Sequence, residues 1–305
     1  MSVAGAVLAC ATLLACSGPT PAPAAAPVAS ASPAAAVTVA IPPVTVTVNN
    51  AGAGPRTALV LHATPESAQR VSLTSTSTIS QTIGTSPPSD QSSPEVTLPL
   101  TARPHGPADA ATHTVGLTIG TPSSPDTTLS DALAKAVGST STVTVTPAGA
   151  VSQLVLDPPA ALSDAGRSAA EQAQRQAIQF LPVLPGEPVG VGAVWTVRQQ
   201  IDSLGLGLRQ DTVLTLTAMR DSTITLGGVQ VSQTPLTPTW TLPNDQGTLN
   251  VDSYRVTGGG TLTLDLTKPL PLDGRVQLNG NEVFSRPKDG LKLAQQIGNG
   301  VSWKS

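Results

Sequence analysis

Aromatic side chains are scarce: two Phe, one Tyr and three Trp in 305 residues. All six (Phe180, Trp195, Trp240, Tyr254, Phe284, Trp303) lie beyond the midpoint, so an N-terminal β region must pack on Val, Leu and Ile alone. Cysteine is limited to Cys10 and Cys16, which excludes a disulfide-stapled domain. Charge is thin and nearly balanced, with 16 basic and 19 acidic residues and no basic block. Nucleic-acid binding therefore has no electrostatic support. No Lys or Arg precedes Arg56, and residues 17–55 carry no charge of either sign. Histidine occurs three times, as His62, His105 and His113.

What the chain does have begins with an apolar run, MSVAGAVLACATLLAC, over residues 1–16. Its end, Leu13-Leu14-Ala15-Cys16, resembles the lipobox of bacterial lipoproteins, with Val7-Leu8-Ala9-Cys10 a weaker second match. In that family the cysteine carries a thioether-linked diacylglycerol and becomes the mature N-terminus. The resemblance thus implies lipidation at Cys16 and a partner membrane reached through an acyl anchor, in an exported, envelope-bound protein. A secretory signal normally opens with positive charge, which is missing here. Ser17, rather than Asp, follows the cysteine, which in a diderm favours the outer membrane.

Residues 17–55, with eight prolines and many alanines, are expected to form a disordered tether. Fully extended, it would reach on the order of 100 Å. Within it, Val37–Val48 alternates Val or Ile with Thr, a pattern for an edge strand, since Pro42-Pro43 forbids a central one.

Beyond Arg56 the pattern is mainly β, in two halves, 56–162 and 194–305, about a helix and Pro/Gly connector at 163–193. The first half offers strands at 58–63, 70–80, 96–100 and 113–120, a short helix at 130–138, then 141–157 as strand, turn and strand. The second offers 194–206, 211–221, a hairpin turning at Gly227-Gly228, 254–284 and a final strand. TLTLDLTKPLPLDGRVQLN matches TVTVTPAGAVSQLVLD in plan, which reads as a degenerate repeat. Ser163 is placed to cap a long helix whose Ala165, Ala169, Ala173, Ala177 and Leu181 form one stripe, with residues 171, 172, 174, 175 and 176 on the wet face. Leu262, Leu264 and Leu266 against Thr261, Thr263 and Asp265 imply a sheet with one solvated face. The expected architecture is a twisted antiparallel half-barrel with one long and one short helix; a closed sandwich is the other arrangement this pattern admits.

The connector Leu184-Pro185-Gly186-Glu187-Pro188-Val189-Gly190-Val191-Gly192-Ala193-Val194-Trp195 resembles the central motif of an uncharacterised bacterial envelope family, Leu-Pro then Pro-Val-x-Val-Gly-x-x-Trp between two β-rich halves. That resemblance implies no activity. The architecture is also similar to half-barrel lipid-carrier lipoproteins, a likeness of fold that does not establish function.

A search for chemistry returns nothing. There is no Gly-x-Ser-x-Gly elbow, and Ser285-Arg286-Pro287-Lys288 has no helix to bring its ends together. The histidines are too dispersed for a metal site, and neither Gly190/Gly192 nor Gly258-Gly259-Gly260 makes a phosphate loop. Asp202, Asp211, Asp221 and Asp265 fall at strand ends or on wet faces. Trp195 is the one weak ligand-lining candidate, against a core anchor. The expectation is a non-catalytic, lipid-anchored envelope protein needing no cofactor or metal, which either binds an apolar ligand in a cavity of several hundred Å³ or serves as a scaffold for another envelope protein.

Overall fold

The structure, a computed structural model, describes residues 36–107, 110–157, 162–243 and 246–305. The signal-like run and the tether up to residue 35 lie outside the described residues, all of which belong to one unit.

Alternating Thr/Val/Leu segments form one antiparallel meander before the long helix: β3 (Gln69–Ile83), β4 (Ser89–Asp90), β5 (Ser93–His105), β6 (His113–Ile119), β7 (Thr140–Val145) and β8 (Val151–Asp157). A second meander comes after it: β9 (Val194–Ser203), β10 (Leu206–Arg220), β11 (Thr223–Pro235), β12 (Thr239–Thr241), β13 (Thr248–Asp265), β14 (Asp273–Ser285) and β15 (Lys292–Lys304). Pairing of β15 with β3 joins the two into a single sheet. Its order, between the edges β8 and β9, is β8-β7-β6-β5-β3-β15-β14-β13-β11-β10-β9. Both meanders run around the sheet in the same sense, and the two hairpins matched in sequence, β7–β8 and β13–β14, turn at the same end. The strand counts of the halves differ.

The two edges are closed by the segment that the sequence assigns to a disordered tether. Residues 37–50 form β1 (Val37–Ala40), which pairs with β8, and β2 (Thr45–Asn50), which pairs with β9 at the opposite edge. Only Ile41–Val44 lie between them, and Ile41 N–H still donates to Ser152 O at 3.0 Å. The five Cα–Cα steps from Ala40 to Thr45 span at most about 18 Å, so the sheet must curl until its edges come close together. Both strands are edge strands, as the alternation implies. Pro42-Pro43 sits at the crossing, where no ladder N–H is required.

Three further expectations change. Residues 58–63 join no ladder: Leu61 N–H donates to Pro147 O (2.8 Å) and His62 N–H to Leu266 O (2.7 Å), so the segment crosses under the β7–β8 and β13–β14 turns. Its buried Leu59, Leu61 and Ala63 close that lower end. The hairpin at Gly227-Gly228 is a bulge within continuous β11, with Gly228 at φ 72 and the register shifting between Gly227 and Val229. The short helix α1 (Thr127–Leu133) starts at Asp126, whose carboxylate caps Leu129 N–H at 2.7 Å, rather than at Ser130.

The connector is locked against the segment just after β2. Thr57 and Val189 exchange backbone hydrogen bonds at 2.9 Å, and Gly190 N–H donates to Ala51 O at 2.9 Å. A Cβ on Gly190 would collide with Ala53 O and lie 3.0 Å from Pro55 O, all backbone that cannot yield cheaply. Gly190→Ala should therefore cost at least about 3 kcal/mol in chemical denaturation. Gly186→Ala, four residues away in open space, should shift stability by no more than about 0.5 kcal/mol. Equal effects would show that the close approach is not what holds the connector.

Candidate functional site

The long helix α2 (Asp164–Gln179) is capped by Ser163, whose hydroxyl accepts from Gly166 N–H at 3.2 Å. Its buried face is rotated from the expected stripe: Gly166, Ala170, Ala173, Gln174, Gln176, Ala177 and Ile178 are inside, while Ala165 is exposed. Small residues bring the helix close to β3 and β5. Gln174 and Gln176, expected in water, are buried because the sheet supplies partners. Gln174 Oε1 accepts from Ser141 Oγ and Gln176 Oε1 from Ser75 Oγ, and Gln176 Nε2 donates to Thr76 O at 3.3 Å.

After Phe180 the buried run Pro182–Pro185 fills the interior before the chain surfaces at Gly186–Pro188 and returns to Trp195, which is fully buried and donates Nε1–H to Val183 O at 2.8 Å. Trp195 is thus a core anchor. The free space beside it is small. One cavity of about 30 Å³ lies beneath α2, lined among others by Leu73, Leu100, Val143, Ile178, Leu270 and Trp303. A second of about 10 Å³ lies on the far side of Leu181, against Val197 and Val231. The larger has room for about two water molecules. That is well short of the several hundred Å³ expected for a ligand cavity, because α2 and the connector fill the half-barrel.

A row of polar side chains crosses the inner face at one level of the sheet, on positions otherwise occupied by Leu and Val. Gln210, fully buried between Leu208 and Leu214 on β10, accepts from Gln179 Nε2 at 2.8 Å and Gln233 Nε2 at 2.9 Å. Gln199 Nε2 donates to Gln179 O at 2.9 Å, and the Tyr254 hydroxyl to Gln233 Oε1 at 3.1 Å. Tyr254 lies opposite Glu282, Glu282 opposite Gln295, and Gln295 Nε2 donates to Gln81 Oε1 at 2.8 Å. The row separates the main core from a smaller cluster of Leu206, Leu208, Leu249 and Phe284. Sequence reasoning missed it; the signal was Gln or Glu occupying the apolar phase of a strand, as in Leu206-Leu208-Gln210.

Within the row, burial pushes the Glu282 carboxyl up to about 7, with the Tyr254 hydroxyl pulling the other way. Burial likewise holds the Tyr254 phenol well above its ordinary value, with the neighbouring Glu282 adding to the shift. The row is an ordered amide chain around an acid that is largely protonated below neutrality.

The other residues singled out in the sequence are dispersed. His105 and His113 fall on opposite faces of their hairpin: His113 is buried, with Nδ1 unpartnered and burial lowering its pKa, while His105 and His62 are exposed. Ser285 Oγ donates to Asp252 Oδ1 at 2.8 Å, and Arg286 pairs with Asp289. Asp202 caps Gly205 N–H, Asp211 pairs with Arg198 and Arg209, Asp265 caps Thr267 N–H, and Asp221 occupies a turn at φ 51. Gly258 to Gly260 lie mid-strand in β13, each pressed against a carbonyl of a neighbouring strand. Among the described residues no group of three or more His, Cys, Asp or Glu is placed to hold a metal, and no helix is long and apolar enough to cross a membrane. No family model matches the chain, and no curated protein does.

Glu282 gives the fold a pH dependence of definite sign. Its folded pKa lies above the unfolded value of 4.5, so its contribution is complete below that pH and is lost as pH rises through about 7. The shift amounts to at most about 3 kcal/mol. Glu282→Gln, which keeps hydrogen-bonding capacity without ionising, should raise the thermal midpoint at pH 8 relative to the parent while changing it little at pH 4. An identical gain at both pH values would rule out ionisation as the cause.

Proposed function

We propose that this chain is a lipid-anchored protein of the bacterial cell envelope, without catalytic activity, that acts through its outer surface as a scaffold for another envelope component. The anchor reading is supported by Leu13-Leu14-Ala15-Cys16 followed by a charge-free, proline-rich stretch. From Cys16 to the start of β1 at Val37 the chain is roughly 20 residues long and spans at most about 70 Å. Membership of the uncharacterised envelope family belongs to the same proposal. Three of its positions have a structural rationale here: Val189 and Trp195 are fully buried, and Gly192 adopts φ 86, which suits glycine, while Val191 is exposed.

The observation that carries the surface reading is the filled interior, in which the two cavities beside the end of α2 hold about 30 and 10 Å³. One observation favours the apolar-ligand alternative. The larger cavity is lined almost wholly by aliphatic side chains and closed by Ala177, Ile178 and Leu181, at the end of α2, so withdrawal of that one segment would enlarge it. Gentle extraction from membranes followed by native mass spectrometry decides between them. The expected species is a polypeptide starting at acylated Cys16 with no further lipid bound. A co-purifying lipid at one per chain would transfer the conclusion to the carrier reading. Cys16→Ser should move the protein out of the membrane fraction, and an unmodified residue 16 in the mature protein would remove the anchor.

A further inference from the structure

The ladder registers define two ends of the half-barrel. The lower end holds the β7–β8 and β13–β14 turns; the upper holds the β9–β10 and β14–β15 turns and the end of β3. Among the described residues seven large aliphatic side chains are exposed, and six lie at the upper end. Ile83 ends β3, Leu204 is in the β9–β10 turn, Leu236 follows β11, and Leu291 precedes β15. Val37 opens β1, and Val137 sits beside Ile119, whose carbonyl accepts from Gly138 N–H. The lower end exposes only Val191.

Leu204 carries the argument furthest. With Gly205 it makes a two-residue hairpin loop with φ of 52 and 89, a type I′ turn. The first position of such a turn suits Asn, Asp or Gly, whereas a bulky leucine there is strained. Its side chain is also 73% exposed. Nothing within the fold compensates a residue that is unfavourable both for its backbone and for its solvation, which points to a role outside it. Next to it stands half-buried Trp240, packed on Phe284 at 4.9 Å and donating Nε1–H to Leu204 O at 3.0 Å. An indole with an apolar body and a satisfied polar tip suits a lipid headgroup interface.

We infer that the upper rim docks on a lipid bilayer surface, seating Leu204, Leu236, Ile83 and Leu291 at the headgroup boundary. The aliphatic residues stand on separate turns rather than in one shaped patch, which suits a fluid surface better than a protein partner. Val37 lies at the same rim, so the chain leading back to residue 16 departs from the end that carries these residues. Rim charge is mixed with no basic excess: Arg286 pairs with Asp289, and Lys135, Lys288 and Lys292 share this end with Asp90, Asp157, Asp202 and Asp252. Docking is therefore driven by apolar insertion and persists in high salt and on zwitterionic lipid. The inference rests on the anchored reading only for how the rim is brought to the membrane.

The scarcity of cysteine provides the test. In acylated protein whose Cys16 is blocked, Leu204→Cys or Val191→Cys supplies a single thiol for a nitrobenzoxadiazole label. In phosphatidylcholine vesicles the Leu204→Cys label should brighten severalfold and shift to the blue, in low and high salt alike, while the Val191→Cys label stays unchanged. Leu204→Asn, which relieves the turn, should leave thermal stability equal or higher yet weaken the response of a Leu236→Cys label. Vesicle-bound protein in which neither label responds, or in which both respond equally, overturns the docking inference and leaves the anchor standing. A chain whose Cys16 thiol is itself labelled sinks the anchor instead; rim docking then stands or falls on the Leu204→Cys signal from that chain with Cys10→Ser and Cys16→Ser added.

Discussion

Everything in this molecule depends on how an open sheet disposes of its two edges. Each would present a row of unpaired N–H and C=O groups, which costs stability and invites pairing with other chains. Here one segment supplies both partners, β1 for β8 and β2 for β9, separated by Ile41–Val44. Because that spacer is so short, satisfying both edges fixes the curl of the whole sheet. The curl in turn fixes how much room the inner face encloses, and α2 with its proline connector occupies nearly all of it. The backbone contacts around Gly190 then hold the end of this segment against the connector, so the edge closure and the interior filling stabilise each other.

Filling a half-barrel with a helix demands that the helix be thin, and the sequence meets this with Gly166, Ala170, Ala173 and Ala177 on the inward side. Thin side chains leave the sheet's own polar groups within reach, and that is why Gln174 and Gln176 are inside rather than in water. The same logic extends past the end of α2. There Gln179 meets Gln199 and Gln210, and the amide row continues over Gln233 to Tyr254 and Glu282. A row of mutually satisfied amides resists burial less than isolated ones would, and it specifies register, since a slip of one residue would turn each of them outward. The acid within it remains largely protonated below neutrality because burial penalises its charged form more than the Tyr254 hydroxyl stabilises it.

Much of the fold was legible because its strands alternate cleanly. Leu262 and Leu264 against Thr261 and Thr263 show which face is wet without any tertiary knowledge, and Ser163 marks the helix start by cap chemistry alone. What failed to show depends on partners far away in the chain. The alternation of Val37–Val48 marks an edge strand, but the proline-rich composition around it reads as tether, and only the distant β8 and β9 show that the run splits into two strands on opposite edges. Gly227-Gly228 reads as a turn because a bulge and a hairpin use the same left-handed glycine, and the partner strand decides between them. The polar row was hidden for a similar reason: a lone Gln in an apolar phase looks like a surface position until its counterparts on neighbouring strands are aligned. Trp195 needed Val183 O, brought to its indole by the connector, to resolve as an anchor.

The two ends of the half-barrel are closed by different kinds of interaction, and this sets where the molecule can change. At the lower end residues 58–63 are held by backbone hydrogen bonds to the β7–β8 and β13–β14 turns, with Leu270 N–H bound to Gln69 Oε1 at 3.0 Å beside them. Such closure is local, directional and lost only when the turns themselves move. At the upper end over the second meander, closure rests on side chains: Trp240 over Phe284, with Leu206, Leu208 and Leu249 beneath, on the three-residue strand β12. A short strand paired on one side opens at lower cost than a ladder of ten or more residues. The strained Leu204 and the exposed Leu236 sit at that weaker end, beside the same small cluster, with Ile83 and Leu291 next along the rim. An apolar surface placed against that rim would shield Leu204 and Leu236 without disturbing the backbone hydrogen bonds that hold the lower end shut.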